Sequence, residues 1–256
     1  MSMKTFVVLP AYNEEQALPR LLVKLTPLYT EGRLTGCILV VDDGSRDRTA
    51  EIAGDWGAPV QVVSHPHNMG LGAAIRTGLT HAASLAAPDD ALVTMDADDT
   101  HSPGLIPRMV QTLGEGYDLV IASRYQPGSR TLGVSAVRRF LSWGAGLLFQ
   151  IALPMEGVRD YTCGFRAYRA GLIQRAIERW GDRLIDRNDF SSMPRLLLRM
   201  RRLGAIAIEV PMVLRYDLKP GVSKMRVGGN VLANVRLIWQ ELCEGGRGGR
   251  FHIQSG

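Results

Sequence analysis

Cysteine is scarce in this chain of 256 residues, which contains only Cys37, Cys163 and Cys243. An odd number of widely separated cysteines is typical of reduced thiols, and it argues against a disulfide scaffold or a zinc site. Long apolar runs are also absent. Because no apolar stretch reaches the roughly 18 residues of a spanning helix, the sequence predicts no transmembrane segment.

Signals for export and for nucleic-acid binding are missing as well. The chain runs from Met1 directly into a strand-like segment at residues 5–9, without the architecture of a signal peptide. No cluster of basic and aromatic residues occurs, although the net charge is +5. That charge suits an anionic substrate or an anionic membrane surface. We therefore expect a cytoplasmic protein, peripheral on the cytoplasmic face of the membrane if it contacts one, that binds no nucleic acid.

Five apolar runs alternate with amphipathic segments through the first half of the chain. The runs cover residues 6–9, 38–41, 60–63, 91–95 and 118–122. Continuously apolar strands are typical of parallel sheets that helices cover on both faces. The sequence therefore predicts an α/β fold with a mostly parallel central sheet flanked by helices.

Polar residues follow each of these runs. In parallel sheets the carboxyl ends of the strands meet at one edge, where ligands bind. The residues expected at this edge are Asn13, Asp42, Asn68, Asp96, Asp98 and Arg124. Asp96 and Asp98, one small residue apart, suit Mg²⁺ or Mn²⁺ that keeps positions open for a diphosphate. Taken alone, the pair is better explained as an acidic turn, but the convergence of the other polar residues favours the cation site.

Two of the other strand tips have their own alternatives. Asp42 and Asp43 are suited to accept hydrogen bonds from a nucleobase or a ribose, although Asp43 is expected to close the turn at Gly44 or to cap the next helix. Gly70 and Gly72 allow a ligand to approach the backbone closely. Their spacing matches neither the Walker loop nor the dinucleotide fingerprint.

The ordered set of motifs resembles a known family. The segments LPAYNE at 9–14, VDDGS at 41–45, NMGLG at 68–72 and DAD at 96–98 resemble family 2 glycosyltransferases with the GT-A fold. The segments ASRY at 122–125, DYTCGFR at 160–166 and EVP at 209–211, with Arg215, Ser223 and Lys224, are similar to dolichyl-phosphate mannose synthases and equally to bacterial polyprenyl-phosphate glycosyltransferases. The resemblance covers residues 5–226, and we expect a catalytic domain at 1–226 followed by an amphipathic helix and flexible tail at 227–256.

The resemblance implies roles for individual residues. Those implied in nucleotide-sugar binding are Pro10, Tyr12, Asn13, Glu14, Asp42, Asn68, Gly70 and Asp96. Asp96 and Asp98 would hold Mg²⁺ or Mn²⁺ against the diphosphate. The implied catalytic residues are Asp98, Arg124, Arg215 and Lys224, and those implied in holding the acceptor's phosphate are Arg138 and Ser142.

The implied activity is an inverting, metal-dependent transfer of a hexose of the mannose or glucose type. The donor would be a GDP- or UDP-hexose, and the acceptor a polyprenyl or dolichyl phosphate. A phosphate monoester is mostly an oxyanion at neutral pH, so no strong general base is needed. Two alternatives remain: a family 2 enzyme with a hydroxyl acceptor on a saccharide or small molecule, and a nucleotide-binding regulatory subunit without turnover.

The chain departs from the family pattern at two positions. Some relatives carry an acidic residue in the helix before residues 209–211, whereas residues 191–196 contain none, and Asp186 and Asp189 are the nearest substitutes. After the Asp-x-Asp motif, relatives often have an apolar residue and then an amide or serine. Here Asp99 and Thr100 follow, and Thr100 is a candidate for a water-mediated contact to the metal.

Two apolar segments have alternative interpretations. Residues 140–153 are almost entirely apolar but too short to span a bilayer, so they form either a core helix or an interfacial helix near the lipid. Residues 227–244 have the pattern of an amphipathic helix. It either packs on the catalytic domain or contacts a membrane or a second subunit.

Overall fold

The computed structural model describes residues 3–134, 144, 146–189, 191–218 and 227–245. The strands are β1 Thr5–Ala11, β2 Gly36–Asp42, β3 Val60–Ser64, β4 Ala91–Thr94, β5 Leu119–Ser123, β6 Arg130–Leu132, β7 Arg166–Arg169, β8 Ala207–Pro211 and β9 Val213–Arg215. The helices are α1 Leu18–Thr30, α2 Thr49–Asp55, α3 Leu71–Leu85, α4 Ile106–Gly114, α5 at 146–152, α6 Ala170–Trp180, α7 Ser192–Arg202 and α8 Val227–Gly245. Short 3₁₀ turns cover Pro103–Leu105, Gly181–Ile185 and Tyr216–Leu218.

Seven of the strands form one central sheet in the order β3-β2-β1-β4-β7-β5-β8. All neighbours in this sheet are parallel except β7, which runs antiparallel to β4 and to β5. The predicted α/β fold with a mostly parallel sheet is therefore confirmed. The chain order reverses between β1 and β4, and this is the position at which open α/β sheets form their ligand crevice.

The helices cover the sheet because their apolar faces are complementary to it. α1 buries Leu18, Leu21, Leu22, Leu25 and Leu28. α3 approaches the sheet closely at Gly78, where an added Cβ would lie 2.2 Å from Cγ1 of Val8 in β1. A larger residue at this position would force the helix away from the strand.

Strand β7 was not predicted from the sequence. Its first residue, Arg166, is fully buried, which is unusual for arginine. The guanidinium donates hydrogen bonds to the backbone carbonyls of Met193 and Tyr161, at 2.8 and 2.7 Å. These bonds compensate the buried charge only in the folded structure, so the sequence pattern gave no indication of a central strand.

The two apolar segments each have one buried and one exposed face. In α5, Phe149 is buried and stacks on Tyr161 with ring centroids 5.3 Å apart. Leu147, Leu148 and Ile151 of the same helix are exposed. The core and the interfacial interpretations thus each describe one face of α5.

Helix α8 packs on the rest of the chain, as one of the two interpretations predicts. Leu237 is buried, and the carboxylate of Glu241 binds Arg195 and Arg202 of α7. Val235, Trp239 and Leu242 are exposed. In the part of the chain that the structure describes, no helix combines the length and the apolar character needed to cross a bilayer.

Candidate active site

The Asp-x-Asp motif lies directly after β4, at the carboxyl edge of the sheet. Asp96 is partly buried, and Asp98 is buried with 7% of its surface exposed. The hydroxyl of Thr94 donates a 2.7 Å hydrogen bond to the carbonyl of Gly164. A Cβ added to Gly164 would lie only 3.3 Å from Oδ1 of Asp96. The segment at 160–166 therefore passes close to the first carboxylate of the motif.

Thr100 fixes the second carboxylate. Its backbone N–H and its hydroxyl both donate to Oδ1 of Asp98, at 3.2 and 2.7 Å. The carbonyl of Thr100 accepts a 2.8 Å hydrogen bond from the backbone N–H of Arg215 at the end of β9. The side chain of Arg215 donates to Asp217 at 2.9 and 3.0 Å and is 43% exposed. The backbone of Arg215 thus lies beside the Asp-x-Asp loop.

Asp99, the third acidic residue of this stretch, has a partner of its own. It has a φ of 61°, a left-handed conformation that Asp tolerates better than most residues. Both of its carboxylate oxygens lie 2.7 Å from Nζ of Lys24 on α1. No local motif marks Lys24, and the sequence did not indicate this pair.

The loops after β1 and β2 are held together by hydrogen bonds. Asn13, with a φ of 53°, donates its backbone N–H to the hydroxyl of Ser45 at 3.0 Å. Its side-chain Oδ1 accepts the backbone N–H of Arg46 at 2.8 Å. The N–H of Glu14 donates to Oγ1 of Thr49, also at 2.8 Å. Tyr12 follows Ala11, which pairs with Asp42 across β1 and β2, so Pro10, Tyr12 and Asp42 lie at the same edge of the sheet.

The two aspartates after β2 have different partners. Asp42 is 4% exposed and accepts the N–H of Ser45 at 3.3 Å, so it closes the turn at Gly44. Asp43 accepts the backbone N–H groups of Met69 and Gly70, both at 2.8 Å, and lies 2.8 Å from Nδ1 of His65. The expectation that Asp43 closes this turn or caps the next helix is therefore wrong. Asp43 instead joins the tip of β2 to the tip of β3.

Backbone atoms of the protein itself lie close to the two glycines at the start of α3, Gly70 and Gly72. A Cβ added to Gly72 would lie 1.7 Å from the carbonyl oxygen of Arg187, and one added to Gly70 would lie 2.6 Å from that of Asn188. Gly70 also has a φ of 96°. The close approach that the sequence assigned to a ligand is thus made by the backbone at 187–188. Asn68 is exposed in the same loop.

Arg124 forms a buried ion pair after β5. Its Nε and Nη2 donate to the two carboxylate oxygens of Asp160 at 2.8 and 2.6 Å, and Nη2 also donates to Thr162 at 2.6 Å. Burial alone would raise the pKa of Asp160, but the charge and hydrogen bonds of Arg124 outweigh it and hold that pKa below the usual range. The same partner raises the pKa of Arg124, although burial opposes it. This pair fixes the segment that reaches Gly164.

The two carboxylates named above as the nearest substitutes, Asp186 and Asp189, both accept hydrogen bonds from neighbouring side chains. Asp186 accepts hydrogen bonds from Nε and Nη2 of Arg195 at 3.0 and 2.7 Å. Burial would raise the pKa of Asp186, but Arg195 and the nearby Arg199 hold it below the usual range. Asp189 accepts the N–H and the hydroxyl of Ser191 at the start of α7. A carboxylate with a lowered pKa is a weak base near pH 7.

Three predicted site residues, Arg138, Ser142 and Lys224, lie outside the described residues. The described predictions gather at the carboxyl edge of β1, β2, β3, β4 and β5, which agrees with their expected convergence. Lys24, Gly164 and Thr162 also belong to this region and were not assigned individual roles from the sequence. Their positions depend on contacts between segments that are far apart in the chain.

Sequence comparison assigns this sheet and the motifs at its carboxyl edge to a known family. The chain belongs to glycosyl transferase family 2, whose family pattern matches residues 6–176. It is 34% identical over 242 residues to the undecaprenyl-phosphate mannosyltransferase of Micrococcus luteus, covering 91% of this chain and 93% of that protein. It is 31% identical over 257 residues to the polyprenol monophosphomannose synthase of Mycolicibacterium smegmatis, covering 99% of this chain and 91% of that protein.

Solved structures share the fold. The glucosyl-3-phosphoglycerate synthase of Mycobacterium tuberculosis, crystallised with Mn²⁺, UDP-glucose and phosphoglyceric acid, has a TM-score of 0.65 at 22% identity. That match covers 92% of this chain and 79% of the synthase. The GT-A fold expected from the sequence motifs is thereby confirmed.

Proposed function

We propose that this chain transfers a hexose, with inversion, from a nucleotide-diphosphate sugar to a polyprenyl phosphate, and that it requires Mg²⁺ or Mn²⁺. The observation that carries the proposal is the position of Asp96 and Asp98 at the end of β4, beside β1, where the strand order reverses. The names of the two relatives that align along nearly their full length support a polyprenyl-phosphate acceptor and favour mannose as the sugar.

The donor atoms at Asp96 and Asp98 fit a hard divalent cation. Both side chains offer carboxylate oxygens, which Mg²⁺ and Mn²⁺ prefer. Among the described residues, no group of three or more His, Cys, Asp or Glu side chains is arranged to hold a metal ion. Two protein carboxylates leave the remaining positions for substrate oxygens. A bound cation would neutralise charge on the diphosphate as it leaves.

The loops after β1, β2 and β3 form the proposed nucleoside site. Asp42 would accept hydrogen bonds from the base or ribose, beside Asn13 and the segment from Pro10 to Glu14. Asn68, which is exposed in the loop after β3, is the proposed contact on the other side, whereas Gly70 would act by holding this loop against the backbone at 188. The hydrogen bonds that join Asn13 to Ser45 and Arg46 support this assignment, because they hold the loops in place before the donor binds.

The cationic side chains have different proposed tasks. Arg215, which is exposed and bonded to Asp217, would exchange that carboxylate for a phosphate of the donor. Arg124 would act through its pair with Asp160, which fixes the segment beside Asp96. Lys224 completes the proposed catalytic set, and Arg138 and Ser142 would bind the acceptor's phosphate.

The acceptor phosphate needs no strong base to attack. Its second pKa is about 6, so one oxygen carries the negative charge at neutral pH. That oxygen would attack the anomeric carbon in line, forming a carbon–oxygen bond while the bond to the β-phosphate breaks and the nucleoside diphosphate leaves. The lowered pKa of Asp186, which is paired with Arg195, supports a step without that residue as a general base. The exposed Leu147, Leu148 and Ile151 of α5 would lie against the lipid surface that carries the acceptor.

The proposal is tested with a panel of nucleotide sugars and a short polyprenyl phosphate. Transfer is measured with Mn²⁺, with Mg²⁺ and with EDTA, for the natural chain and for the Asp98→Asn variant. Asp55→Asn, at the exposed end of α2, is the matched control. We expect metal-dependent transfer that Asp98→Asn abolishes and Asp55→Asn retains.

Two other results would overturn the proposal in different ways. Donor hydrolysis without transfer to the lipid would indicate a hydroxyl acceptor. Nucleotide-sugar binding without turnover on any acceptor would instead indicate a regulatory subunit.

A further inference from the structure

A basic cavity lies between the end of α6, the turn that follows it and helix α7. Its volume is about 420 Å³, and it is lined by Arg179, Trp180, Arg183, Asp186, Arg195 and Arg199. Four of these six residues are arginines and one is a carboxylate. None of them belongs to the proposed donor site, so the proposed transferase reaction leaves this cavity without a role.

Arg199 is a buried arginine of this cavity whose guanidinium is only partly paired. It is 7% exposed, and within the described residues its Nε has no hydrogen-bond partner. A buried donor without an acceptor is unfavourable, and such groups in folded proteins call for an explanation. The nearest carboxylate oxygen that pairs with Arg199 is Oδ2 of Asp186, at 3.9 Å from Nη2, which is too far for a hydrogen bond.

The carboxylates around Arg199 are already taken by other arginines. Asp186 forms its short contacts with Arg195, at 2.7 and 3.0 Å. Glu241 of α8 is shared between Arg195 and Arg202. Burial lowers the pKa of Arg199, and the charges of Arg195 and Arg202 lower it further, although Asp186 and Glu241 oppose the shift. The cluster therefore carries an excess of positive charge around a buried guanidinium.

Trp180 forms an aromatic surface beneath two of the guanidinium groups. The Cζ atoms of Arg179 and Arg199 lie 5.1 and 4.9 Å from the centroid of its ring. Contacts of this kind hold a guanidinium plane while its N–H groups stay available to an acceptor. Arg179 and Arg183 are exposed, so they lie where an anion would enter.

We propose that this cavity is a second ligand site that binds a phosphate-bearing anion, a phosphomonoester or a diphosphate. Arg199 is the buried donor, Arg183 and Arg179 meet the ligand at the mouth, and Asp186 keeps Arg195 in place. The planar fork of arginine is suited to binding two phosphate oxygens at once. The cavity has the volume of small-molecule sites, so it accommodates an organic phosphate as well as the inorganic ion.

The proposal is tested by titrating the full chain with inorganic phosphate and with pyrophosphate in EDTA, using calorimetry. Arg199→Gln removes the buried donor and Arg183→Gln a donor at the mouth. Arg33→Gln, an exposed arginine outside the cavity, is the control with the same change of charge. We expect saturable binding that each cavity variant weakens about tenfold or more and that the control leaves within twofold. The Arg215→Gln variant should still bind, which separates this site from the proposed donor site.

A second arm distinguishes a free ligand from a lipid headgroup. Vesicles of phosphatidylcholine with and without phosphatidic acid are sedimented with each variant. Binding to phosphatidic acid that Arg183→Gln weakens and pyrophosphate displaces would assign the site to a headgroup. Binding of the soluble anions alone would assign it to a free phosphate compound.

Three outcomes would overturn the proposal. One is the absence of saturable binding to either soluble anion. Another is equal weakening by Arg33→Gln, which indicates a general effect of charge. The third is an affinity for phosphate and pyrophosphate that neither the Arg183→Gln variant nor the Arg199→Gln variant changes. If Arg199→Gln does not fold, Arg183→Gln decides alone, because Arg183 is exposed and its substitution leaves the packing intact.

Discussion

Lys24 and Asp99 form an ion pair that joins α1 to the Asp-x-Asp loop. Nζ of Lys24 lies 2.7 Å from both carboxylate oxygens, and the Asp99 side chain is 3% exposed while that of Lys24 is 46% exposed. Asp99 adopts a φ of 61° at this point, so the pair also fixes a left-handed turn directly after Asp98. The third acidic residue therefore shapes the loop that follows Asp98.

The Lys24→Met substitution should destabilise the protein by about 1–3 kcal/mol, because it leaves a buried carboxylate without its charged partner. The free energy of unfolding is measured with urea at pH 7. Lys4→Met, which removes an exposed lysine elsewhere, is expected to stay within about 0.5 kcal/mol of the natural chain. Equal unfolding midpoints for all three proteins would show that the ion pair contributes nothing.

Asp160→Asn should cost about 3–5 kcal/mol, because it leaves Arg124 without the carboxylate that binds it at two positions. The effect should depend on pH. The pKa of Asp160 is lower in the folded chain than the value of about 3.9 in an unfolded chain. Its contribution is therefore complete above about pH 4 and declines as the pH falls through the folded pKa.

Unfolding free energies of the natural chain and of Asp160→Asn between pH 2 and pH 7 test this dependence. The difference between the two proteins should be constant near neutral pH and should shrink in acid. A difference that grows as the pH falls would contradict the assignment. Asp55→Asn, on the surface of α2, provides the baseline for the general effect of losing a carboxylate.

The sequence predicted the fold well because, in the first half of the chain, each strand can be recognised from its own residues. Each parallel strand is a short apolar run followed by a polar tip, and this pattern needs no knowledge of distant partners. The sequence was less informative about β7, because its buried Arg166 needs hydrogen bonds to the backbone carbonyls at 161 and 193. A buried charge is compatible with a strand only after its partners are in place, and composition alone does not show them.

In the candidate site, too, the features encoded locally were predicted and those that depend on distant partners were not. Asp96, Asp98 and Asn13 were predicted at one edge because strand ends of a parallel sheet must converge there. The partner of Asp43 was predicted incorrectly, because its contacts to residues 65–70 join two loops that are separated in the chain. Lys24 was missed for the same reason. The residue types in the sequence indicate which chemical groups a site contains. Which partner each residue binds depends on contacts between loops that are distant in the chain.

Gly72→Ala should be destabilising by about 1–3 kcal/mol, since its Cβ would lie 1.7 Å from the carbonyl oxygen of Arg187. The backbone at 187–188 would have to move away from the start of α3. Gly54→Ala in α2 is the matched control, because nothing lies within 4 Å of its added Cβ. That variant should be stabilised by about 0.5–1 kcal/mol. Thermal unfolding of the two variants gives the comparison, and similar changes in both would show that the 187–188 backbone does not pack on α3.

Ile151→Gln should weaken binding of the chain to lipid vesicles. Ile151 is 72% exposed on α5, next to the exposed Leu147 and Leu148. Burying an isoleucine in an apolar phase contributes about 1.5–3 kcal/mol, so loss of part of that contact corresponds to roughly a tenfold change in partitioning. Vesicle sedimentation at constant lipid composition measures this change.

The control for that experiment is Val23→Gln on α1. Val23 is 63% exposed, so the substitution removes a comparable apolar surface from a different face of the protein. If α5 faces the lipid, Ile151→Gln lowers the bound fraction and Val23→Gln leaves it unchanged. If both variants lower it equally, the effect reflects overall hydrophobicity and α5 has no special place at the membrane. If neither does, the acceptor reaches the site from another side of the molecule, because an interfacial helix must lose affinity when its exposed apolar side chain becomes polar.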